Sequence, residues 1–340
     1  MTFRHKPLGC QTLVLTGATS GIGLATALAA GHAGARLMLV ARNAEALADA
    51  AARVRAAGGE AEILARDVGE PGWADDVAAE TIARFGGFDS WINDAAAAVY
   101  GRVEELSLAE HERVFVVGYF GTVQGSLAAA RHLRPKGGAI VNIGSVLSER
   151  TMVLQGAYSA MKHAVRGFTD ALRMELLMDD APVSVTLVKP TGMDTPYPEH
   201  ARNKMDKPAR IPPVVYDPRL VARAILFACE HSRREITVGG TGLAIAKSDG
   251  LAPAMTDWVM AKLMGSAAQS TDTPPGAGAA DNLFEPRADG RIDSNQHIAV
   301  RRTSLWLEAQ LRPAAATAVL AGAGLLAAGL LRRQGRSLRM

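Results

Sequence analysis

The sequence predicts an α/β protein built on a doubly wound parallel sheet with helices on both faces, followed by a C-terminal helical extension. Between residues 11 and 240, short apolar runs alternate with longer amphipathic segments. The short runs are apolar almost throughout, which indicates parallel strands buried on both faces. The chain of 340 residues is 48% hydrophobic and 21% charged, a composition that allows one large soluble α/β domain with additional pieces.

Each element follows from its local pattern, taken in chain order. Strand patterns are found in TLVLT (12–16), ARLMLVA (35–41), EAEILARD (60–67), FDSWIN (88–93), GAIVNIGS (138–145), VSVTLVK (183–189) and REITVGG (234–240). Helical patterns are found in GIGLATALAAGHAG (21–34), NAEALADAAARVRAAGG (43–59), WADDVAAETIARFG (73–86), a region that extends to residue 134, a helix that ends near residue 179, and PRLVARAILFACEH (218–231). Because strands and helices alternate, the sheet is predicted to be parallel.

The predicted domain boundaries follow changes in composition. Residues 8–245 form the α/β domain, and residues 246–312 form an extension with a helix near 253–265 and a Pro/Gly-rich linker or surface loop. Residues 313–340 form an apolar helix with an arginine-rich tail. Residues 314–331 carry no charge and would span about 27 Å as a helix, close to the roughly 30 Å of a bilayer core. Two interpretations stay open for this helix: contact with a membrane, or packing of an Ala/Gly-rich helix on a partner.

The charge of the chain gives no sign of a nucleic-acid partner. The net charge is +3, but the last nine residues, RRQGRSLRM, carry four arginines and no acid, which leaves the net charge of the remainder at −1.

The two cysteines, Cys10 and Cys229, have no metal-ligand spacing, so no metal site is predicted. Unpaired cysteines and the lack of a signal-peptide pattern predict a cytoplasmic protein, attached to the cytoplasmic face of the membrane if the apolar helix contacts it.

A glycine cluster, TGATSGIG (16–23), stands between the first predicted strand and the first predicted helix. Gly17, Gly21 and Gly23 allow a tight turn and a close approach of the backbone to a pyrophosphate, whose charge the helix N-terminus favours. The second glycine is not followed by Lys-Ser or Lys-Thr, which excludes the phosphate loop of nucleotide hydrolases. The loop therefore predicts a Rossmann-type dinucleotide site.

The second strand ends without an acidic residue, and Arg42 can face a 2′-phosphate. This arrangement favours NADP(H) over NAD(H) as the cofactor.

Tyr158 and Lys162 lie four residues apart and therefore share one face of a predicted helix. A free phenol has a pKa of about 10, which is too high for acid–base chemistry near neutrality. A nearby ammonium group lowers this pKa, so two interpretations of the pair stay open at this point: packing of a tyrosine on the helix surface, or a phenol that exchanges a proton. Ser145 stands at the end of the fifth predicted strand, thirteen residues before Tyr158. His163 points about 100° away around the helix and is interpreted as a packing or surface residue.

In combination these residues resemble the classical short-chain dehydrogenase/reductase family, in a bacterial branch with a long C-terminal extension. The resemblance covers residues 10 to 245 and includes the glycine loop, Asp67-Val68, NDAA (93–96), Ser145, the Tyr158/Lys162 pair and Pro190. It implies that Tyr158 is the general acid/base, that Lys162 tunes its pKa and holds the nicotinamide ribose, and that Ser145 orients the substrate oxygen. It also implies a homodimer or a homotetramer. The cofactor-binding residues that it implies are Thr16, Gly17, Ser20, Gly21, Ile22, Gly23, Arg42, Asp67, Val68, Asn93, Ala95, Tyr158, Lys162 and Pro190.

Three positions depart from the family pattern. Asp94 and Ala96 replace the second asparagine and the glycine of the usual NNAG. Gly118 stands where the family has an asparagine that holds a proton-relay water, and a glycine has no side chain for this task. The departure at residue 118 leaves two interpretations open: an active oxidoreductase, or an NADP(H)-binding protein with little or no turnover that serves a partner.

The expected activity is the interconversion of a hydrophobic ketone or aldehyde and its alcohol by an NADP(H)-dependent oxidoreductase. A long segment with several prolines follows the sixth predicted strand and is expected to cover the substrate. The side chains expected to make an apolar pocket beneath it are Val146, Leu147, Met152, Leu154 and Met193.

Overall fold

The apolar runs of the sequence form strands and the amphipathic segments between them form helices in the computed structural model, which describes residues 5–248, 250–273, 280–287, 290–296 and 298–318. In chain order the strands are β1 Thr12–Thr16, β2 Arg36–Ala41, β3 Glu60–Ala65, β4 Ser90–Asn93, β5 Val99–Tyr100, β6 Gly138–Ile143, β7 Val183–Pro190, β8 Gly192–Met193, β9 Arg202–Asn203, β10 Val215–Tyr216, β11 Glu235–Val238 and β12 Val300–Arg301. The helices are α1 Gly21–His32, α2 Ala44–Ala56, α3 Trp73–Phe85, α4 Leu108–Phe115, α5 Gly121–Leu133, α6 Gly156–Met178, α7 Tyr197–His200, α8 Arg219–Glu230, α9 Gly240–Ser248, α10 Pro253–Leu263, α11 Ser266–Gln269 and α12 Leu305–Leu311.

Within the described residues, seven parallel strands form one sheet in the order β11-β7-β6-β4-β1-β2-β3. The chain runs outward from β1 to β3 and then returns to β4 on the other side of β1. This reversal makes a topological switch point between β1 and β4, and α/β proteins bind ligands at the carboxyl ends of the strands at such a point. The predicted Rossmann-type fold is confirmed.

Both faces of the sheet are covered by helices, as the predicted doubly wound fold requires. In β1, Leu13 and Leu15 belong to the apolar cluster beneath α1, α2 and α8, whereas Val14 belongs to the cluster beneath α3, α5 and α6. Successive side chains of a strand point to opposite faces, so one strand contributes to both clusters. This is why the strands are apolar throughout.

The two strands that precede Asp67 and Ser145 end earlier than the sequence pattern predicts. β3 ends at Ala65 and β6 at Ile143, two residues before the predicted ends at 67 and 145. In each case a polar side chain bonds the local backbone: Asp67 Oδ1 accepts from the N–H of Gly69 at 2.8 Å, and Ser145 Oγ accepts from that of Leu147 at 3.0 Å. Such side-chain bonds compete with strand pairing and turn the chain toward the cavity at the sheet edge.

The C-terminal extension packs against the α/β domain. α10 begins at Pro253, a position where the missing N–H of proline costs nothing, and it occupies the helix predicted near 253–265. Residues 280–287 form neither helix nor strand, yet the side chain of Leu283 is fully buried in the domain. None of the described helices is long and apolar enough to cross a membrane. Most of the segment 314–331 lies outside the described residues, so its membrane contact stays a prediction, as does the domain boundary at 245.

Candidate active site

A cavity of about 300 Å³ lies at the carboxyl ends of β1, β4, β6 and β7. The loops that follow these four strands, the start of α6 and the segment around α7 surround it. Most of the site residues predicted from the sequence line this cavity, namely Gly17, Ser20, Gly21, Ile22, Arg42, Asp67, Val68, Ala95, Ser145, Tyr158, Lys162 and Pro190.

Three of the predicted cofactor-binding residues stand behind the cavity wall. Thr16 Oγ1 accepts a hydrogen bond from the N–H of Asp94 at 3.0 Å, which ties β1 to the loop after β4. Asn93 is buried, and its side chain donates to Asn142 Oδ1 at 2.9 Å. Gly23 is buried under the glycine loop. Thr16, Asn93 and Gly23 therefore hold the cavity wall in place from behind.

The glycine loop has the shape that a pyrophosphate needs. Gly17 and Gly21 have φ angles of +71° and +51°, a conformation that favours glycine. A Cβ atom on Gly23 would lie 2.1 Å from the carbonyl oxygen of Gly17, so no side chain fits there. α1 starts directly after this turn. The N–H of Gly21 donates to the carbonyl oxygen of Arg291 at 2.8 Å, and the N–H of Gly23 donates to the Asp94 carboxyl group. The shape of the loop agrees with the predicted dinucleotide site, and a bound pyrophosphate would have to replace the bond to Arg291 to reach the N–H of Gly21.

Ser145, Tyr158 and Lys162 meet on the opposite wall of the cavity. The side chains of Ser145 and Tyr158 are hydrogen-bonded to each other. Lys162 Nζ donates to the carbonyl oxygen of Ile143 at 2.6 Å and lies 5.5 Å from the centre of the Tyr158 ring. The carbonyl that holds the lysine belongs to the last residue of β6, so strand and helix fix the three side chains together. Their catalytic roles stay a prediction.

Burial dominates the protonation of the tyrosine and the lysine. Burial raises the pKa of Tyr158, the Asp94 carboxylate adds to this rise, and the hydrogen bond with Ser145 opposes it. Burial lowers the pKa of Lys162 to about 8, against the attraction of Asp94. The pKa of Tyr158 thus moves opposite to the lowering expected from Lys162, because burial removes water from the phenolate and the Asp94 carboxylate repels it. Tyr158 is a neutral phenol at pH 7.

Asp94 places an additional titratable group beside this pair. Burial raises the pKa of its carboxyl group to about 7, while the charge of Lys162 and a hydrogen bond from the N–H of Gly23 lower it. The side chain lies on the cavity wall at the N-terminus of α1. The departure from the family asparagine thus introduces a carboxyl group that can change its charge near neutral pH.

The space beside Gly118 is occupied by an apolar side chain. Gly118 lies in a π-helical turn, Val116–Phe120, and its carbonyl oxygen accepts a hydrogen bond from Thr122 Oγ1 at 2.8 Å. A Cβ atom on Gly118 would lie 2.6 Å from both Sδ and Cε of the buried Met161. The methionine therefore fills the place of a larger residue at position 118, and no polar side chain reaches Lys162 from there.

The substrate side of the cavity is apolar and aromatic. Of the five side chains expected there, Val146, Leu147, Met152 and Met193 line the wall, but Leu154 does not. Leu154 has a left-handed φ of 65°, and its carbonyl oxygen accepts from the N–H of Gly101 at 2.9 Å. Because this conformation is unusual for leucine, the direction of its side chain could not be foreseen from the pattern.

Two tyrosines that the sequence analysis missed belong to the same wall. Tyr197, in α7, has its ring centre 5.4 Å from that of Tyr158 and 5.9 Å from that of Tyr100. Tyr197 lies in the proline-rich segment expected to cover the substrate, which was a usable signal. Tyr100 lies in a two-residue strand whose pattern gives no sign of a site.

The adenosine end of the cavity contains residues from distant parts of the chain. Asp67, expected to meet the adenine, forms an ion pair with Arg113 Nη2 at 2.5 Å. The guanidinium group of Arg42 donates hydrogen bonds to three backbone carbonyl groups of the C-terminal extension. Asn282, Pro286 and Arg287 of the same extension line the cavity. These residues have no sequence motif that could have revealed them.

Two further predictions concern groups that do not contribute to the cavity. His163 is exposed, and its Nδ1 lies 2.8 Å from the carbonyl oxygen of Ser159 in its own helix, as expected of a surface residue. In the described part of the chain, no group of three or more His, Cys, Asp or Glu side chains could hold a metal ion.

A doubly wound sheet, a glycine loop after its first strand and a serine, a tyrosine and a lysine on one cavity define a dinucleotide-dependent oxidoreductase. The chain belongs to the short chain dehydrogenase family, whose pattern it matches over residues 11–206. Members of this family bind NAD or NADP and act on CH–OH groups.

Known proteins resemble the chain well beyond this region. It is 37% identical to the uncharacterized oxidoreductase YxnA of Bacillus subtilis over 320 residues, which cover 93% of this chain and 90% of that protein. It is 33% identical to a 3beta-hydroxysteroid dehydrogenase of Mediterraneibacter gnavus over 192 residues, which cover 56% of this chain and 69% of that protein. The solved structure of a short-chain dehydrogenase from Streptomyces avermitilis matches with a TM-score of 0.63 at 27% identity, and covers 73% of this chain and 95% of that one.

Proposed function

We propose that the protein is an NADP(H)-dependent oxidoreductase that interconverts a hydrophobic ketone or aldehyde and its alcohol, with Tyr158 as general acid/base. The observation that carries this proposal is the meeting of Ser145, Tyr158 and Lys162 on a cavity whose other wall is the glycine loop. A bound nicotinamide dinucleotide would supply or accept the hydride in this cavity.

The three side chains divide the remaining chemistry between them. Ser145, hydrogen-bonded to Tyr158, orients the substrate oxygen toward the phenol. Tyr158 donates its proton to the oxygen that becomes a hydroxyl group in the reduction, or accepts that proton in the oxidation. Lys162, fixed by the carbonyl of Ile143, places a cation near the phenolate that forms when the proton leaves. At neutral pH Tyr158 holds its proton, which is the form that the reduction of a carbonyl group requires.

The preference for NADP(H) is supported by the charges at the adenosine end. β2 is followed by Arg42 and Asn43, so no carboxylate is placed there to bind a ribose 2′-hydroxyl and repel a 2′-phosphate. Arg42 and Arg66 both line the cavity at this end. Two guanidinium groups favour an additional phosphate, and we expect kcat/KM to be higher with NADPH than with NADH. A higher value with NADH would refute the preference.

The proposal of a hydrophobic substrate is supported by the lining of the cavity. Leu147, Met152, Met193 and Tyr197 line the cavity, and the ring centre of Tyr197 lies 5.4 Å from that of Tyr158. The relative from Mediterraneibacter gnavus is a 3beta-hydroxysteroid dehydrogenase, an enzyme of a large apolar alcohol. The homodimer or homotetramer that the family resemblance implies stays a prediction for a molar-mass measurement in solution.

The test is NADPH oxidation with a panel of apolar ketones and aldehydes, run with the wild type and with Tyr158→Phe. The phenylalanine keeps the ring packing but has no proton to donate, so we expect turnover to fall by about 10²- to 10⁴-fold while NADPH binding is retained. NADPH binding without turnover in the wild type, on any substrate of the panel, would favour the alternative of a binding protein. Full activity of Tyr158→Phe would refute the role of the tyrosine.

A further inference from the structure

Residues 280–287, called the strap below, cross the adenosine end of the cofactor cavity. Arg42 donates from Nη1 to the carbonyl oxygen of Phe284 at 2.9 Å, and from Nη2 to that of Glu285 at 3.3 Å and to that of Asn282. Asn282, Pro286 and Arg287 face the cavity. A segment more than 200 residues distant in the sequence therefore contacts the side chain expected to bind the 2′-phosphate.

One buried leucine anchors the strap. The side chain of Leu283 is fully buried in the apolar cluster beneath α3, α5 and α6. Its carbonyl oxygen accepts a hydrogen bond from Arg113 Nε at 2.8 Å, and its N–H donates to Asp281 Oδ1 at 3.0 Å. The anchor thus combines an apolar contact with backbone bonds on both sides, which fixes the position of the strap over the cavity.

The strap is also tied to the segment that covers the substrate. Asp281 Oδ2 accepts from Arg202 Nε at 2.9 Å, and the N–H of Asn282 donates to the carbonyl oxygen of His200 at 2.8 Å. Arg287 Nη1 donates to the carbonyl oxygen of Glu199 at 2.6 Å. The strap therefore bridges the end of β2 and α7, across the mouth of the cofactor cavity.

In this position the strap occupies the side chain that a 2′-phosphate would need, because the guanidinium group of Arg42 donates to three of its carbonyl oxygens. Arg42 therefore has to release the strap before its guanidinium group can bind a 2′-phosphate.

We propose that the strap is a gate that must open for the nicotinamide dinucleotide to enter or leave the cavity. This inference rests on the proposed function, since it concerns the cofactor of the same site. A gate slows association as well as dissociation, because both require the open state, whereas a fixed wall that only adds contacts to the bound nucleotide slows dissociation alone.

The experiment measures NADPH association and dissociation by stopped-flow fluorescence with the full chain. Leu283→Ala removes the anchor, and the loss of a buried leucine changes the balance between closed and open states by at least about tenfold. Leu307→Ala is the matched control: this leucine is equally buried and belongs to the same extension, but it lies in α12, which packs on β11 and α8. We expect both rate constants to rise by about tenfold or more in Leu283→Ala and to stay unchanged in Leu307→Ala.

A milder variant protects the test against misfolding of Leu283→Ala. Asp281→Ala removes the ion pair with Arg202 and one backbone bond of the strap without leaving a buried cavity, and both rate constants should rise in the same direction by a smaller factor. A rise in the dissociation rate alone, or unchanged rates in both variants, would overturn the gate. A wild type that binds neither NADPH nor NADH would overturn the proposed function, and the gate with it.

Discussion

Replacing Gly23 by alanine tests the glycine loop by the smallest change available. The new Cβ atom would lie 2.1 Å from the carbonyl oxygen of Gly17, 2.7 Å from its carbonyl carbon and 2.9 Å from Asp94 Oδ2. An ordinary contact needs more than about 3 Å, so the loop and α1 have to separate by roughly 1 Å. Overpacking costs about 1 to 3 kcal/mol, and the upper value applies here because the two closest atoms belong to the backbone.

The expected loss of about 3 kcal/mol in the free energy of unfolding corresponds to a fall of about 6 to 12 °C in Tm for a domain of this size. Thermal unfolding with and without NADPH measures two effects in one assay. The wild type gains Tm from a bound nucleotide, and Gly23→Ala should lose this gain because its loop is displaced.

Gly240→Ala is the matched control for this prediction. A Cβ atom on Gly240 would contact Trp306 Cβ at 3.7 Å, an ordinary distance, so we expect a change of less than about 0.5 kcal/mol and a normal response to NADPH. If Gly23→Ala is as stable as this control and its Tm still rises with NADPH, the inference that the glycine loop and α1 leave no room for a side chain at residue 23 is wrong.

Two further predictions concern the departures from the family pattern. The Asp94 carboxylate raises the pKa of both Tyr158 and Lys162, so Asp94→Asn should lower both pKa values. The rising limb of the pH profile of alcohol oxidation should therefore move to lower pH. Steady-state rates between pH 6 and 10 measure this shift, and a limb that does not move contradicts the prediction. Gly118→Asn should lower the free energy of unfolding by about 1 to 3 kcal/mol, because its side chain meets Met161. Urea unfolding of Met161→Ala and of the double variant measures the coupling: the asparagine should cost less in the Met161→Ala background, and strictly additive losses would refute the contact.

The sheet and its order of elements were predictable because the signals are local. A strand buried on both faces needs apolar residues at successive positions, as in β1, and a covering helix needs them three and four residues apart. The glycine loop was equally predictable, since the turn at Gly17 and Gly21 requires a backbone conformation that favours glycine. The spacing of Tyr158 and Lys162 placed them on one helical face without any knowledge of the sheet.

The protonation of these residues was beyond the sequence. The sequence suggests that Lys162 lowers the pKa of Tyr158, but in the fold the burial of the phenol raises it. Burial depends on what the rest of the chain places around a group, and no pattern within the helix contains that information. For the same reason, the sequence identified the glycine at position 118 but not the methionine that fills the space beside it.

By itself the sequence determined the fold class, the dinucleotide loop and the helix that carries the tyrosine, because each depends on residues a few positions apart. Only the tertiary structure decided which residues surround the cofactor cavity. The strap has the composition of a loop, yet its Leu283 is buried beside helices far away in the sequence and its carbonyl groups accept hydrogen bonds from Arg42. Contacts over such separations arise only when the whole chain is packed, since their free energy comes from surfaces that do not exist before the core forms.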